Sequence, residues 1–146
     1  METSPNLPKR YSSELKPLVS NPELLPEIDR FKQIAQVIAQ ASQDITHIGV
    51  YGSQATGTAT PDSDIDVLVL VKPGLGVGAY MCQGPIGKEI KRVLEKTDFS
   101  VGKGAGQIDF DLAKNTVLDI PPEKRTGMAR FMLHGFCLYP PGDFAW

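Results

Sequence analysis

Apolar residues recur at three- and four-residue steps from Ile28 through Phe31, Ile34, Ala35, Ile38 and Ala39, with Glu27, Asp29, Arg30, Lys32 and Gln36 on the other side. That period predicts an amphipathic helix running on from Pro26, a residue suited to the first turn because its missing N–H is no loss there. The pattern then changes. "THIGVY" (Thr46 to Tyr51) reads as a short strand with Ile48 and Val50 inward, "GSQATG" as a turn able to open a short helix, and "TPDS" as turn chemistry. "DIDVLVLV" (Asp64 to Val71) becomes apolar on both faces, as a strand covered on both sides must, and so belongs in the middle of its sheet.

The glycine-rich "KPGLGVGAYMCQGP" is expected to be a loop, and Ile86, Ile90, Val93 and Leu94 mark a helix reaching about Thr97. "QIDFDL" alternates cleanly, with Ile108, Phe110 and Leu112 on one face and Gln107, Asp109 and Asp111 on the other. Met128, Phe131 and Met132 predict a last helix with a core-facing side that ends at Gly135, before a closing strand in "FCLYP". The order α-β-α-β-α-β-α-β predicts one mixed α/β domain without internal repeats. Residues 1–22, with Pro5, Pro8 and Pro17, form an N-terminal tail or wrapping arm, 23–140 the domain, and 141–146 a C-terminal tail.

Composition narrows the function without choosing it. The chain has 146 residues, enough to bury a core without staples, and is 41% hydrophobic and 22% charged. Its 15 basic and 17 acidic residues nearly cancel, which argues against bulk electrostatic capture of nucleic acid or an anionic membrane. Two cysteines, Cys82 and Cys137, make neither a disulfide framework nor a metal knuckle. The N-terminus has no apolar signal region, and the run Val67 to Val71 is far too short to span a bilayer, so a cytoplasmic location is expected.

The chemistry concentrates in "GSQATGTATPDSDID". Asp64 and Asp66 are two apart on a strand, hence on one face with Cα atoms roughly 6.6–7 Å apart. Carboxylates at that spacing can hold hard divalent cations jointly, including the metal pair of a phosphoryl-transfer site, and "QIDF" offers Asp109 as a third ligand. An all-oxygen set suits Mg²⁺, which completes its shell with water and substrate phosphates. Gly52 lets the backbone approach an anion and Ser53 adds a hydroxyl donor. Together they describe a triphosphate cradle beside a metal site.

"GSQATGTATPDSDIDVLV" resembles the signature of the polymerase-β-type nucleotidyltransferase superfamily: Gly-Ser, about ten residues, then Asp-x-Asp. The apolar strand before it, the later strand Asp in "QIDFDL" and the ending "HGFCLY" are similar to the small, single-domain minimal nucleotidyltransferases, and the resemblance covers roughly residues 28–139. It implies a small mixed β-sheet flanked by helices. It implies further that Gly52 and Ser53 bind the triphosphate, that Asp64, Asp66 and Asp109 bind two Mg²⁺, and that Asp109 helps activate the acceptor hydroxyl. Asp111 shares a face with Asp109 and remains the alternative third carboxylate. The resemblance departs at Thr56 and Thr60, where small bacterial members often carry arginine.

The activity so implied is transfer of a nucleoside monophosphate from an NTP, expected to be ATP, to a hydroxyl of a protein or small molecule. Relatives of this size often act as the antitoxin that modifies a HEPN-type helical toxin, so a HEPN-type partner or a homo-oligomer is expected. Two other readings stay open: a nucleotide- or partner-binding module whose catalysis has decayed, and a small-molecule transferase of the aminoglycoside-modifying kind. The remaining features read as structure. His47 is a polar strand position, His134 a helix-end residue, "GKGAG" a plain loop, and Lys88, Lys91, Arg92 and Lys96 a solvated helix face.

Overall fold

The computed structural model describes residues 14–146. Residues 1–13 of the expected arm lie outside the described residues. The regular elements are α1 (Ile28–Ala39), β1 (Ile45–Tyr51), α2 (Ser53–Thr56), β2 (Ile65–Val71), α3 (Pro85–Glu95), β3 (Ile108–Lys114), α4 (Gly127–Met132) and β4 (Gly135–Tyr139), with short 3-10 turns between them. The order is the one the hydrophobic pattern predicts, and the sheet is small and mixed. Its strands run β3-β2-β1-β4, with β2 and β3 parallel and β1 antiparallel to both β2 and β4.

β2 lies between two strands and is covered on both faces, as its continuous apolar run requires. Ile65, Val67, Val69 and Val71 join Ile48, Val50, Ile108, Phe110 and Phe136 in the main core, under the apolar sides of α1 and α3. α1 contributes Ile28, Phe31, Ile34, Ala35 and Ile38, and α3 contributes Ile86, Ile90 and Leu94. Each fully buried aliphatic side chain of this set contributes roughly 1.5–3 kcal/mol. Leu68 and Leu70 point the other way, into a smaller cluster with Tyr51, Met132 and Leu133, against which Phe131 and Trp146 pack.

That second face is where the sequence pattern needs correction. The last helix ends at Met132 rather than at Gly135, because Gly135 already pairs with Tyr51 in the β1–β4 ladder. A Cβ on Gly135 would stand 2.1 Å from the Val50 carbonyl oxygen, so the strand approach itself selects glycine. Met128, expected in the core, is 48% exposed because only the end of this six-residue helix reaches the sheet. Pro26 precedes α1 instead of lying in its first turn, with Glu27 at the cap. Among the described residues no helix is long and apolar enough to cross a membrane.

The C-terminal residues 141–146 fold back on the sheet. The Phe144 carbonyl accepts from the Cys137 amide at 2.9 Å, and the Phe144 ring meets Phe136 edge-on with centroids 5.9 Å apart. The indole of Trp146, the single tryptophan, fills the space beside Gly49 on β1. A Cβ there would lie 2.3 Å from the indole ring. Gly49→Ala is therefore expected to displace Trp146 and shift its fluorescence to the red while lowering the urea midpoint. Unchanged emission and midpoint would show that the indole does not occupy this position.

Candidate active site

Asp66 and Asp109 are each the second residue of their strands, and the parallel β2–β3 register sets them side by side. Asp64 stands just ahead of β2, two residues before Asp66. One carboxylate oxygen from each of Asp64, Asp66 and Asp109 lies within 4.8 Å of the other two, and all three residues are half-buried. The donor set is three carboxylates, hard oxygen ligands without nitrogen or sulfur, and it fits a hard divalent cation.

The loop before β2 is fixed by its own hydrogen bonds. The Thr60 amide donates to Ser63 Oγ at 2.9 Å, and the Ser63 amide to the Thr60 carbonyl at 3.0 Å. The 102–107 loop is attached to it: the Gly106 amide donates to the Ser63 carbonyl at 2.9 Å, and the Ile65 amide to the Gln107 carbonyl at 2.8 Å. Gln54 Nε2 donates to the Asp64 carbonyl at 3.2 Å, tying the short helix α2 to the carboxylate cluster. These bonds hold the backbone at Asp64 from three sides.

Gly52 follows β1 and caps α2 with φ +73° and ψ −150°, a region essentially reserved for glycine. Its missing side chain is also the space that Asp66 uses: a Cβ would sit 2.4 Å from Asp66 Oδ2. The Gly-Ser turn and the second aspartate are therefore in direct contact. Beside them opens a cleft of about 310 Å³ lined by Gly52, Ser53, Thr56, Asp66, Phe131 and His134, among others. A larger one, about 410 Å³, lies behind the 60–63 loop against Arg30 and Gln54 and includes none of the aspartates.

Asp111, the other acidic residue of β3, is held elsewhere. The Tyr51 hydroxyl donates to Asp111 Oδ2 at 2.8 Å. Burial of the ring, reinforced by the negative charges of Asp111, Asp66 and Asp109, pushes the Tyr51 phenol far above its ordinary range, so it stays protonated and donates. The geometry thus separates the two candidates, grouping Asp109 with Asp64 and Asp66 and tying Asp111 to Tyr51. Tyr51 and Gln54 escaped the sequence reading. The alternation that turns Ile48 and Val50 inward places Tyr51 on the aspartate face, a signal that was available.

The cysteines take no part in this arrangement. Cys82 Sγ donates to the Phe110 carbonyl at 3.4 Å, and burial together with Asp111 and Asp109 pushes its thiol up. Burial does the same to Cys137, which donates to the Tyr139 carbonyl at 3.1 Å. Both are protonated thiols, hence poor nucleophiles. Lys88, Lys91, Arg92 and Lys96 are exposed, as expected of a solvated helix face, with Arg92 paired to Glu89 and Lys91 to Glu95.

A family model described as the nucleotidyltransferase domain matches residues 31–117. The match runs from α1 to the turn after β3 and includes Gly52, Ser53, Asp64, Asp66 and Asp109. No curated protein and no solved structure matches the chain.

The protonated Tyr51 has a consequence for pH dependence. In the unfolded chain its phenol ionises at its ordinary value of 10.0, while in the folded chain it keeps the proton. The unfolded state therefore binds fewer protons above that pH, and stability falls as pH rises through it. Tyr51→Phe removes this contribution. The stability gap between wild type and Tyr51→Phe should narrow by about 1.4 kcal/mol for each pH unit above the unfolded value. Urea unfolding at pH 8 and pH 11 measures it, and a constant gap would mean Tyr51 is not the protonated donor to Asp111.

Proposed function

The chain belongs to the nucleotidyltransferase domain family, and on that premise we propose that it moves a nucleoside monophosphate from an NTP, in first place ATP, to a hydroxyl acceptor. The observation that carries the reading is the meeting of three carboxylate oxygens within 4.8 Å beside a Gly-Ser turn that borders an open cleft. In this reading Gly52 and Ser53 hold the triphosphate, through close backbone approach and the hydroxyl donor. Asp64, Asp66 and Asp109 hold Mg²⁺. When bound, Mg²⁺ would neutralise the charge of the phosphates and of the departing pyrophosphate.

Asp109 has a second task, accepting the proton of the acceptor hydroxyl as its oxygen bonds to the α-phosphorus and the bond to the β-phosphate oxygen breaks. Pyrophosphate carries away the electron pair of that bond. Catalysis of this kind rests on positioning and charge compensation, and no covalent enzyme intermediate is required. The rigid loop at Asp64 and the ladder position of Asp66 and Asp109 favour it, since both limit reorganisation of the carboxylates. The acceptor comes from a separate molecule in this reading, and a HEPN-type helical protein is the partner the resemblance implies.

Asp109→Ala and Asp111→Ala compared side by side test the assignment. With α-labelled forms of all four NTPs, Asp109→Ala should lose transfer by about 10²-fold or more, yet retain NTP binding in calorimetry with Mg²⁺, because the triphosphate oxygens supply metal ligands that the free cation lacks. Asp111→Ala should keep both, within a few-fold. If Asp111→Ala is the inactive variant the third carboxylate is misassigned, and if neither variant changes transfer the proposed chemistry is wrong.

A further inference from the structure

Residues 14–16 line the cleft beside the Gly-Ser turn, and the segment 14–19 is tied down at two points. The Val19 amide donates to the Ala55 carbonyl of α2 at 3.0 Å. The Lys16 carbonyl accepts from His134 Nε2 at 2.6 Å, just past the end of α4. A carbonyl can only accept, so the His134 ring carries its proton on Nε2. At the His134 end of this segment Leu15 and Lys16 line the same cleft as Gly52, Ser53 and Asp66.

The charge of that cleft gives Lys16 a task. Three carboxylates and a nucleoside triphosphate together carry more negative charge than one or two Mg²⁺ neutralise. The turn supplies no cation, because Thr56 and Thr58 stand on its cleft side. Among the described residues lining the cleft, Lys16 is the single lysine or arginine. The acidic residues lining it are Asp66 and Glu14, and Glu14 also borders an adjoining cleft holding Arg125 and Arg130. A lysine ammonium serves as a point charge for phosphate, with a flexible stem that can follow the ligand.

We propose that Lys16 is a phosphate-binding residue of this site, and that residues 14–19 form a strap, held by His134 and Ala55, that carries its ammonium over the triphosphate. The inference rests on the nucleotide site described above and adds a residue from outside the family-matched segment, which begins at residue 31. The strap is a positioning device. His134 acts through the Lys16 backbone and needs no contact with the ligand.

The test uses the full chain and two probes with Mg²⁺, ATP and inorganic tripolyphosphate, titrated by calorimetry. Lys16→Met should weaken both by about tenfold, the loss expected for one charge-assisted contact, while Lys16→Arg restores most of the affinity. His134→Ala should weaken both probes in the wild-type background and add little in Lys16→Met, because both changes remove the same ammonium. Thermal midpoints without ligand should be unaffected by Lys16→Met, since the residue is exposed. Wild-type binding with Lys16→Met unchanged overturns this inference and leaves the nucleotide site standing. Equal losses from His134→Ala in both backgrounds overturn the strap. Wild type that binds neither probe overturns the site and the inference together.

Discussion

The parallel register of β2 on β3 is the constraint on which the site depends. Ile65 lies beside Ile108, Asp66 beside Asp109 and Val67 beside Phe110, so burying the flanking residues forces the two carboxylates together. A slip of one residue would turn Ile108 and Phe110 out of the core and Asp109 into it. The magnitudes favour the observed pairing. Two carboxylates about 4 Å apart repel by about 4 kcal/mol at an effective dielectric near 20, and less where water reaches them. Ile65, Val67, Val69, Ile108 and Phe110 are all buried, and each contributes roughly 1.5–3 kcal/mol. The core thus holds a cluster of like charges that local electrostatics would disperse, and a divalent cation would relieve that tension.

The remaining contacts sort the acidic groups. Asp66 occupies the space that Gly52 leaves open, which joins the turn to the cluster, and the Tyr51 hydroxyl takes Asp111. Two neighbouring positions of one strand end, Tyr51 and Gly52, therefore decide which carboxylates are available together. The main-core face of the sheet is closed by α1 and α3, whereas the smaller cluster on the other face is packed by Met132, Leu133, Phe131, Val117, Leu118 and the Trp146 indole. The cleft opens beside the Gly-Ser turn, where Asp66 lines it.

Much of this was legible in the sequence because it depends on short-range pattern. The 3.6-residue period of Ile28 to Ala39, the unbroken apolar run after Asp66 and the spacing from Gly52 to Asp64 each state a local requirement. The choice between Asp109 and Asp111 was not legible, since the two share a face and differ only in what lies across the sheet. The Tyr51 hydroxyl, 60 residues away, donates to Asp111, a contact no local pattern announces. His134 reads as an ordinary helix-end residue until the fold brings the Lys16 carbonyl to it, across 118 residues. Met128 misled because periodicity reports which side of a helix is apolar, and not how far the sheet extends beneath it.

The central claim is that Asp64, Asp66 and Asp109 act as one divalent-cation site, which unfolding in urea with and without Mg²⁺ tests most directly. A cation that binds only the folded chain stabilises it by RT ln(1 + [L]/Kd), about 1.4 kcal/mol at a tenfold excess over Kd. Wild type and Asp111→Asn should show that gain, and Asp64→Asn, Asp66→Asn and Asp109→Asn should each lose most of it. A gain of equal size in all five proteins, or none in wild type, would contradict the account.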